Sequence, residues 1–298
     1  MQPKIELAKT RDFGEIISDT FLFIKENLKP LLKYFFTFCG IFIVAATISA
    51  CLMQLKMTTN FNNLTSGAYT NQYAPSFFNF FGIEFALTMV FTLLSITAII
   101  VTVFCYMALY KEKGNQVPTS EEMWGYIKFY YLKILGSSIL INILLVIGFL
   151  FCFIPGIYLS PILALVAPIM IMENTSFGYA FNRSFVLIKE NWWATFGALV
   201  VTWIIFSVCR AIIVVPVSIV NAISLVTHVK GGAHFSIAAA VIGAALQQVC
   251  QVFIIIPVVS LSLCYFNLTE SKDGTSLLNR INKVGTTTPD NDLPLEEY

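Results

Sequence analysis

Charge is the first thing this sequence lacks. Asp, Glu, Lys and Arg make up 12% of its 298 residues, against roughly 25% in a soluble globular chain. So few charges cannot cover a surface that faces water, so an apolar solvent must cover much of it. The net charge of +1 gives no field to draw nucleic acid, and no such partner is expected. Histidine is as scarce. His228 and His234 are the only two, with no Asp or Glu nearby, which argues against an intramembrane iron or zinc centre built on clustered ligands. G-x-S-x-G, H-E-x-x-H and P-loop patterns are missing. No Asp falls in an apolar run, so proteolysis by paired intramembrane aspartates is excluded. The seven cysteines form no C-x-x-C pair and no group with metal-ligand spacing. All lie in apolar runs and read as small buried hydrophobes. No catalytic residue, metal or other cofactor is expected.

What the chain has in abundance is apolar length: 57% of it is hydrophobic. A helix needs about 20 apolar residues to cross a hydrocarbon core. Six runs qualify: Leu32–Met53, Gly82–Tyr110, Ile134–Phe153, Ile157–Met172, Ala194–Val220 and Phe235–Phe266. The fourth is short and carries Pro161 and Pro168. It reads either as a thin, kinked span or as half of a helical hairpin with the third, with Ile154-Pro155-Gly156 as the break between them.

The basic residues set an expected orientation. With the N-terminus inside, all of them fall in cytoplasmic segments except Lys56, Arg210 and Lys230. That bias predicts an inner-membrane protein with both termini in the cytoplasm. The opening has no short apolar core followed by a small-residue cleavage site, so the chain is expected to keep its N-terminus. Lys56–Ser76 reads as a polar outer loop. Residues 269–298 read as a largely disordered cytoplasmic tail, with one amphipathic turn around Leu277–Val284.

A short internal similarity stands out. Phe13–Asn27 reads FGEIISDTFLFIKEN and Phe177–Asn191 reads FGYAFNRSFVLIKEN, with seven of fifteen positions identical. Both are amphipathic at helical period. Phe13, Ile16, Ile17, Phe21, Ile24 and Leu28 form the apolar stripe of the first. Asp12 with Glu15 has the spacing of a capping box. Thr119 with Glu122 repeats it in a weaker third copy, whose stripe is Trp124, Ile127 and Tyr131. Trp192 and Trp193 sit where an aromatic belt would. The expected fold class is therefore all-α: a polytopic membrane helical bundle of about six transmembrane helices. It is read as three repeats, about 11–110, 119–172 and 175–268, each an interfacial amphipathic helix plus a helical hairpin, in one membrane domain (1–268).

Ionisable and amide groups inside the apolar runs are the candidate site. Arg210 lies about ten residues, or about 15 Å, inside the fifth run. Gln247 and Gln251 lie at similar depth in the sixth, at i, i+4 spacing, with Gln248 beside them. A hydrogen bond from Arg210 to Gln247 or Gln251 is expected, as a structural clamp or as a binding point for an anionic headgroup. Glu84 reads as an interface carboxylate reaching water, and Asn142 as an interhelical hydrogen bonder.

Three stretches carry a family resemblance: R-x-F-G-E-I-I-S-D-T-F from Arg11, the run from Ile154 to Trp193, and Y-F-N-L-T-E-S-K-D-G-T-S-L-L-N-R-I from Tyr265. Together they resemble the multi-pass membrane-domain family associated with glycerophosphodiester phosphodiesterases, in versions found in the Bacteroidetes group. The resemblance implies a polytopic helical fold. The soluble phosphodiesterase domain of fused members has no counterpart here, so no activity is implied.

Membrane lipids are the expected partners, with other membrane proteins as a further class. The first functional reading is a non-enzymatic scaffold or accessory subunit in envelope or lipid processes. The alternative is a transporter or flippase-like carrier of a lipid or amphiphile, and a membrane-embedded enzyme ranks last. A cavity reaching Arg210 would favour transport, and a solid bundle would favour a scaffold.

Overall fold

The structure is a computed structural model that describes residues 5–65, 82–151, 153–229 and 237–274. Every regular element among them is helical. They are α1 (Phe13–Tyr34), a π-helical turn (Phe35–Cys39), α2 (Gly40–Thr65), α3 (Ile83–Glu112), α4 (Ser120–Phe151), α5 (Phe153–Ala164), α6 (Val166–Met172), α7 (Phe177–Ile188), α8 (Trp192–Val229), α9 (Ile237–Val249), a 3₁₀ turn (Cys250–Ile254) and α10 (Ile255–Asp273). Six stretches are long and apolar enough to cross a bilayer: Phe13–Asn60, Ile83–Glu112, Ser120–Phe151, Phe153–Met172, Trp192–Val220 and Val241–Asp273. The chain is a multi-pass membrane helical protein.

Proline places most of the irregularities. Pro30 lacks an N–H and crowds the carbonyl four residues back, and the helix is kinked just before it, where Asn27 takes φ −108°, ψ 15°. Pro257 likewise leaves the carbonyl of Phe253 without its helical donor, and the preceding turn tightens to 3₁₀ geometry. Pro155 instead sits in the first turn of α5, where no N–H is needed. Ile154-Pro155-Gly156 therefore lies inside α5 and is not the break between the third and fourth runs, as the sequence suggested. Two other boundaries also move. α2 continues to Thr65, so Lys56–Thr65 is helix rather than loop. α10 runs to Asp273, past the expected start of the tail, and ends at Gly274, whose φ of +56° is the left-handed cap glycine tolerates. The expected turn at Leu277–Val284 lies outside the described residues.

The tightly packed core sits at the end of the bundle that carries the chain's first and last described residues. On α3 the buried positions run from Ser95 to Tyr110, opposite the buried face of α10 from Ile255 to Glu270. A polar clasp closes this end. The Arg11 side chain is fully buried. It donates to Asp19 Oδ2 at 2.8 Å, to the Leu7 carbonyl at 2.8 Å, to the Lys9 carbonyl at 3.1 Å and to the Glu6 carbonyl. Its backbone N–H donates to Asn267 Oδ1 at 2.8 Å. Tyr106 donates to Asn27 Oδ1 at 2.7 Å, and Tyr34 to the Pro118 carbonyl at 2.5 Å.

Both expected capping boxes form. The Asp12 N–H donates to the Glu15 carboxylate at 3.2 Å. The Thr119 N–H donates to Glu122 at 2.7 Å, with Glu122 returning its N–H to Thr119 Oγ1 at 3.4 Å. The buried face of α1 is Ile16, Thr20, Phe23 and Asn27, to one side of the expected stripe, where Phe13, Phe21 and Leu28 stay exposed. α7 buries Ala180, Ser184 and Leu187, the positions equivalent to Ile16, Thr20 and Phe23. The third similar segment is not a separate helix, because α4 runs unbroken from Ser120 to Phe151.

Candidate functional site

An intramembrane cavity of about 1000 Å³ lies between α3 and α8. These two helices share no extended contact among the described residues. α3 lines it with Thr92, Ile96 and Ile100, and α8 with Phe196, Leu199, Val200, Trp203, Phe206 and Arg210. The 3₁₀ turn and its flanks form the rear wall, where Gln247, Gln248, Cys250 and Gln251 give way to the apolar Pro257, Val258 and Leu261. The α4–α5 hairpin adds Leu145, Phe149, Ser160, Pro161 and Ala164.

Local chemistry explains why the hairpin takes this place. Gly148 and Gly156 meet backbone to backbone: a methyl at Gly148 would lie 3.4 Å from the Gly156 Cα, and one at Gly156 only 2.5 Å from the Phe149 ring. Its tip is strongly apolar and exposed at Leu150, Phe151, Phe153 and Ile154. The hairpin also leans. Trp192 opens α8, stacks on Tyr158 and donates its indole N–H to the Tyr158 carbonyl at 3.1 Å. A hairpin standing parallel to α8 would bring Met172 level with Trp192. Here the residue is Tyr158, five residues past the start of α5. The α8 start belongs to the terminus-bearing end, because the neighbouring Glu190 pairs with Lys272 at 2.6 Å and Gly197 lies against the Phe13 ring. The hairpin thus meets that end through Tyr158, and the neighbouring Ser160 and Pro161 line the cavity.

The polar residues picked from the sequence do gather at this cavity, but not in the expected bonding. Arg210, halfway along α8, is partly exposed into it. Among the described residues it donates no hydrogen bond and forms no ion pair. Gln251 is buried and bonded elsewhere: Ser95 donates to its Oε1 at 2.7 Å, and its amide donates to Gln248 Oε1. Gln247 is exposed on the cavity wall. The 3₁₀ turn advances about 120° per residue instead of 100°, so i, i+4 spacing does not keep Gln247 and Gln251 on one face. Ser95 and Gln248 were missed as the clamp, since a serine in an apolar run carries no spacing signal.

The lesser candidates lie apart from it. Glu84 forms an ion pair with Lys56 at 2.6 Å, joining α2 to the start of α3, rather than simply reaching water. Asn142 is exposed and donates to the Ser138 carbonyl of its own helix at 2.7 Å. Among the described residues it makes no interhelical bond, because its short amide reaches the carbonyl one turn back. Four of the described cysteines are buried and two half-buried. No group of three or more His, Cys, Asp or Glu suited to a metal occurs among the described residues. His234 lies outside them.

Comparison of the chain with protein-family models, with curated proteins and with solved structures finds no match.

Proposed function

We propose that this is a non-enzymatic membrane protein that takes a lipid or other amphiphile from the bilayer into the cavity between α3 and α8, acting as an accessory protein in envelope or lipid processes. The observation that carries this reading is the cavity itself. It is of ligand size, its walls are mainly aliphatic and aromatic, and a few polar groups converge at one place. A close-packed bundle built only as a scaffold would bury those groups against one another.

The basic-residue bias supports placing both termini in the cytoplasm of a cell whose inner membrane holds the protein. The equivalent buried positions of α1 and α7 support reading them as related units. The resemblance to phosphodiesterase-associated membrane domains agrees with a role beside lipid chemistry.

A carrier is the second reading, favoured by the helix break at Cys250–Ile254 in the cavity wall. A 3₁₀ stretch inside a span often marks a hinge. Native-lipid extraction followed by mass spectrometry tests the main proposal. The wild type should carry lipid at a fixed ratio, and Val200→Trp, which narrows the cavity, should lower that ratio at unchanged yield. Wild-type protein free of lipid, or a variant with undiminished lipid, would count against it. Movement of labelled lipid between leaflets of reconstituted vesicles separates carrier from accessory.

A further inference from the structure

We infer that the occupant is a lipid with a net anionic headgroup, held at Arg210, with its chains along the apolar walls. This rests on the amphiphile-binding reading above and gives it a chemical class. Three arginines are described, and two are paired with carboxylates. Arg11 has Asp19 and three carbonyls, and Arg183 has Glu173 and Asp273. Arg210 has no such partner among the described residues, yet it sits at the midpoint of a 38-residue apolar helix.

An ionised group at that depth is costly unless it meets water or an opposite charge. Among the described residues, the cavity walls contain one cation and no carboxylate. The guanidinium fork matches carboxylate and phosphate oxygens in a bidentate way. A zwitterionic headgroup would place its phosphate equally well but leave its ammonium without an acceptor of opposite charge, so the site discriminates by net charge. Gln247, exposed on the same wall, offers an amide to the headgroup. Gln251 is held by Ser95 and Gln248, which keeps the rear wall in place as the site fills. Trp203 and Phe206, within two turns of Arg210, supply the surface for the chains.

The test uses the full chain, purified in detergent and equilibrated with mixed vesicles of equal phosphatidylglycerol and phosphatidylcholine. Mass spectrometry then counts retained lipid. The wild type should hold the anionic lipid at an enrichment of about tenfold, the weight of one charge-assisted hydrogen-bonded pair. Arg210→Gln should bring the ratio to parity while total lipid persists, and Arg210→Lys should keep part of the preference. Gln247→Glu, which places an anion in the site without removing the arginine, should also reduce it and stands in if Arg210→Gln does not fold. Lipid retained without charge preference, or a preference unchanged in Arg210→Gln and Gln247→Glu, overturns the inference and leaves the amphiphile-binding reading standing. Absence of lipid from the wild type overturns both. A parallel arm with oleate alone distinguishes a free carboxylate from a phospholipid: saturation by oleate with no uptake of phosphatidylglycerol would overturn the phospholipid assignment.

Discussion

Arg11 and Arg210 are the same side chain in opposite situations. Arg11 has no exposed side-chain surface and has four acceptors, while Arg210 faces the cavity and donates to none of the described residues. Removing one partner of a buried, hydrogen-bonded charge pair costs about 3–5 kcal/mol. Arg11→Met should therefore lower the thermal unfolding midpoint of the purified protein sharply, and Arg210→Leu much less, since no protein bond is lost. A similar drop for both would show that Arg210 is part of a structural clamp. The sequence exposed these two residues unequally. Arg210 is conspicuous because it interrupts an apolar run. Arg11 looked like one more orientation-setting charge, because its partners are backbone carbonyls of an irregular segment. Glu84 shows the same limit: its partner Lys56 stands in a polar stretch that reads as loop, yet α2 continues through it.

Helix termini and lengths were legible where local chemistry decides them. The Asp12–Glu15 and Thr119–Glu122 boxes need only neighbouring residues, and both form. The face each helix buries was less legible. α1 can turn Thr20 and Asn27 inward because their polar groups are satisfied there, by the Ile16 carbonyl and by Tyr106, while Phe13, Phe21 and Leu28 of its more apolar stripe are left exposed. Hydrophobicity ranks faces correctly in water, but lipid rewards the apolar face for staying outside. The hairpin gives a sharper test. Gly156→Leu would drive a side chain into the Phe149 ring, and overpacking of this kind costs about 1–3 kcal/mol. It should part α4 from α5, destabilise the protein and alter lipid retention. An unchanged melting curve would mean that the close approach is not needed. The contact of α10 with the segment before α8 should depend on pH. The Lys272 ammonium, hydrogen-bonded to Glu190, holds its carboxyl below the ordinary carboxylate value. A depressed carboxylate adds stability above its unfolded value and loses it as pH falls through the folded one. The wild type should therefore lose more thermal stability than Glu190→Gln as pH drops from neutral into the acid range, and parallel curves would assign the pair no role.

At the scale of the whole molecule, the membrane class and the six apolar helices could be read from composition and run length, which set the solvent and the spacing. The cavity could not, because it exists where α3 and α8 fail to meet, and no local pattern encodes a missing contact. The lean of the α4–α5 hairpin was likewise invisible, since it depends on Trp192 finding Tyr158. Paired spin labels would check it: Phe151 to Trp193 should give a short distance, and Phe151 to Ile223 a long one. The reverse order would stand the hairpin upright along α8 and contradict the Trp192–Tyr158 contact.

The clasp between Arg11 and Asn267 also has a meaning in time. Its two partners are 256 residues apart. At roughly 5–20 residues per second, the ribosome needs about 13–50 s to make the second after the first. Throughout that interval the N-terminal segment has its buried arginine and no C-terminal helix to receive it, so it must wait exposed or be held by something else. The last described helix is thus the one that locks the first, and a nascent chain stopped before α10 should present residues 5–12 to protease while the finished protein hides them.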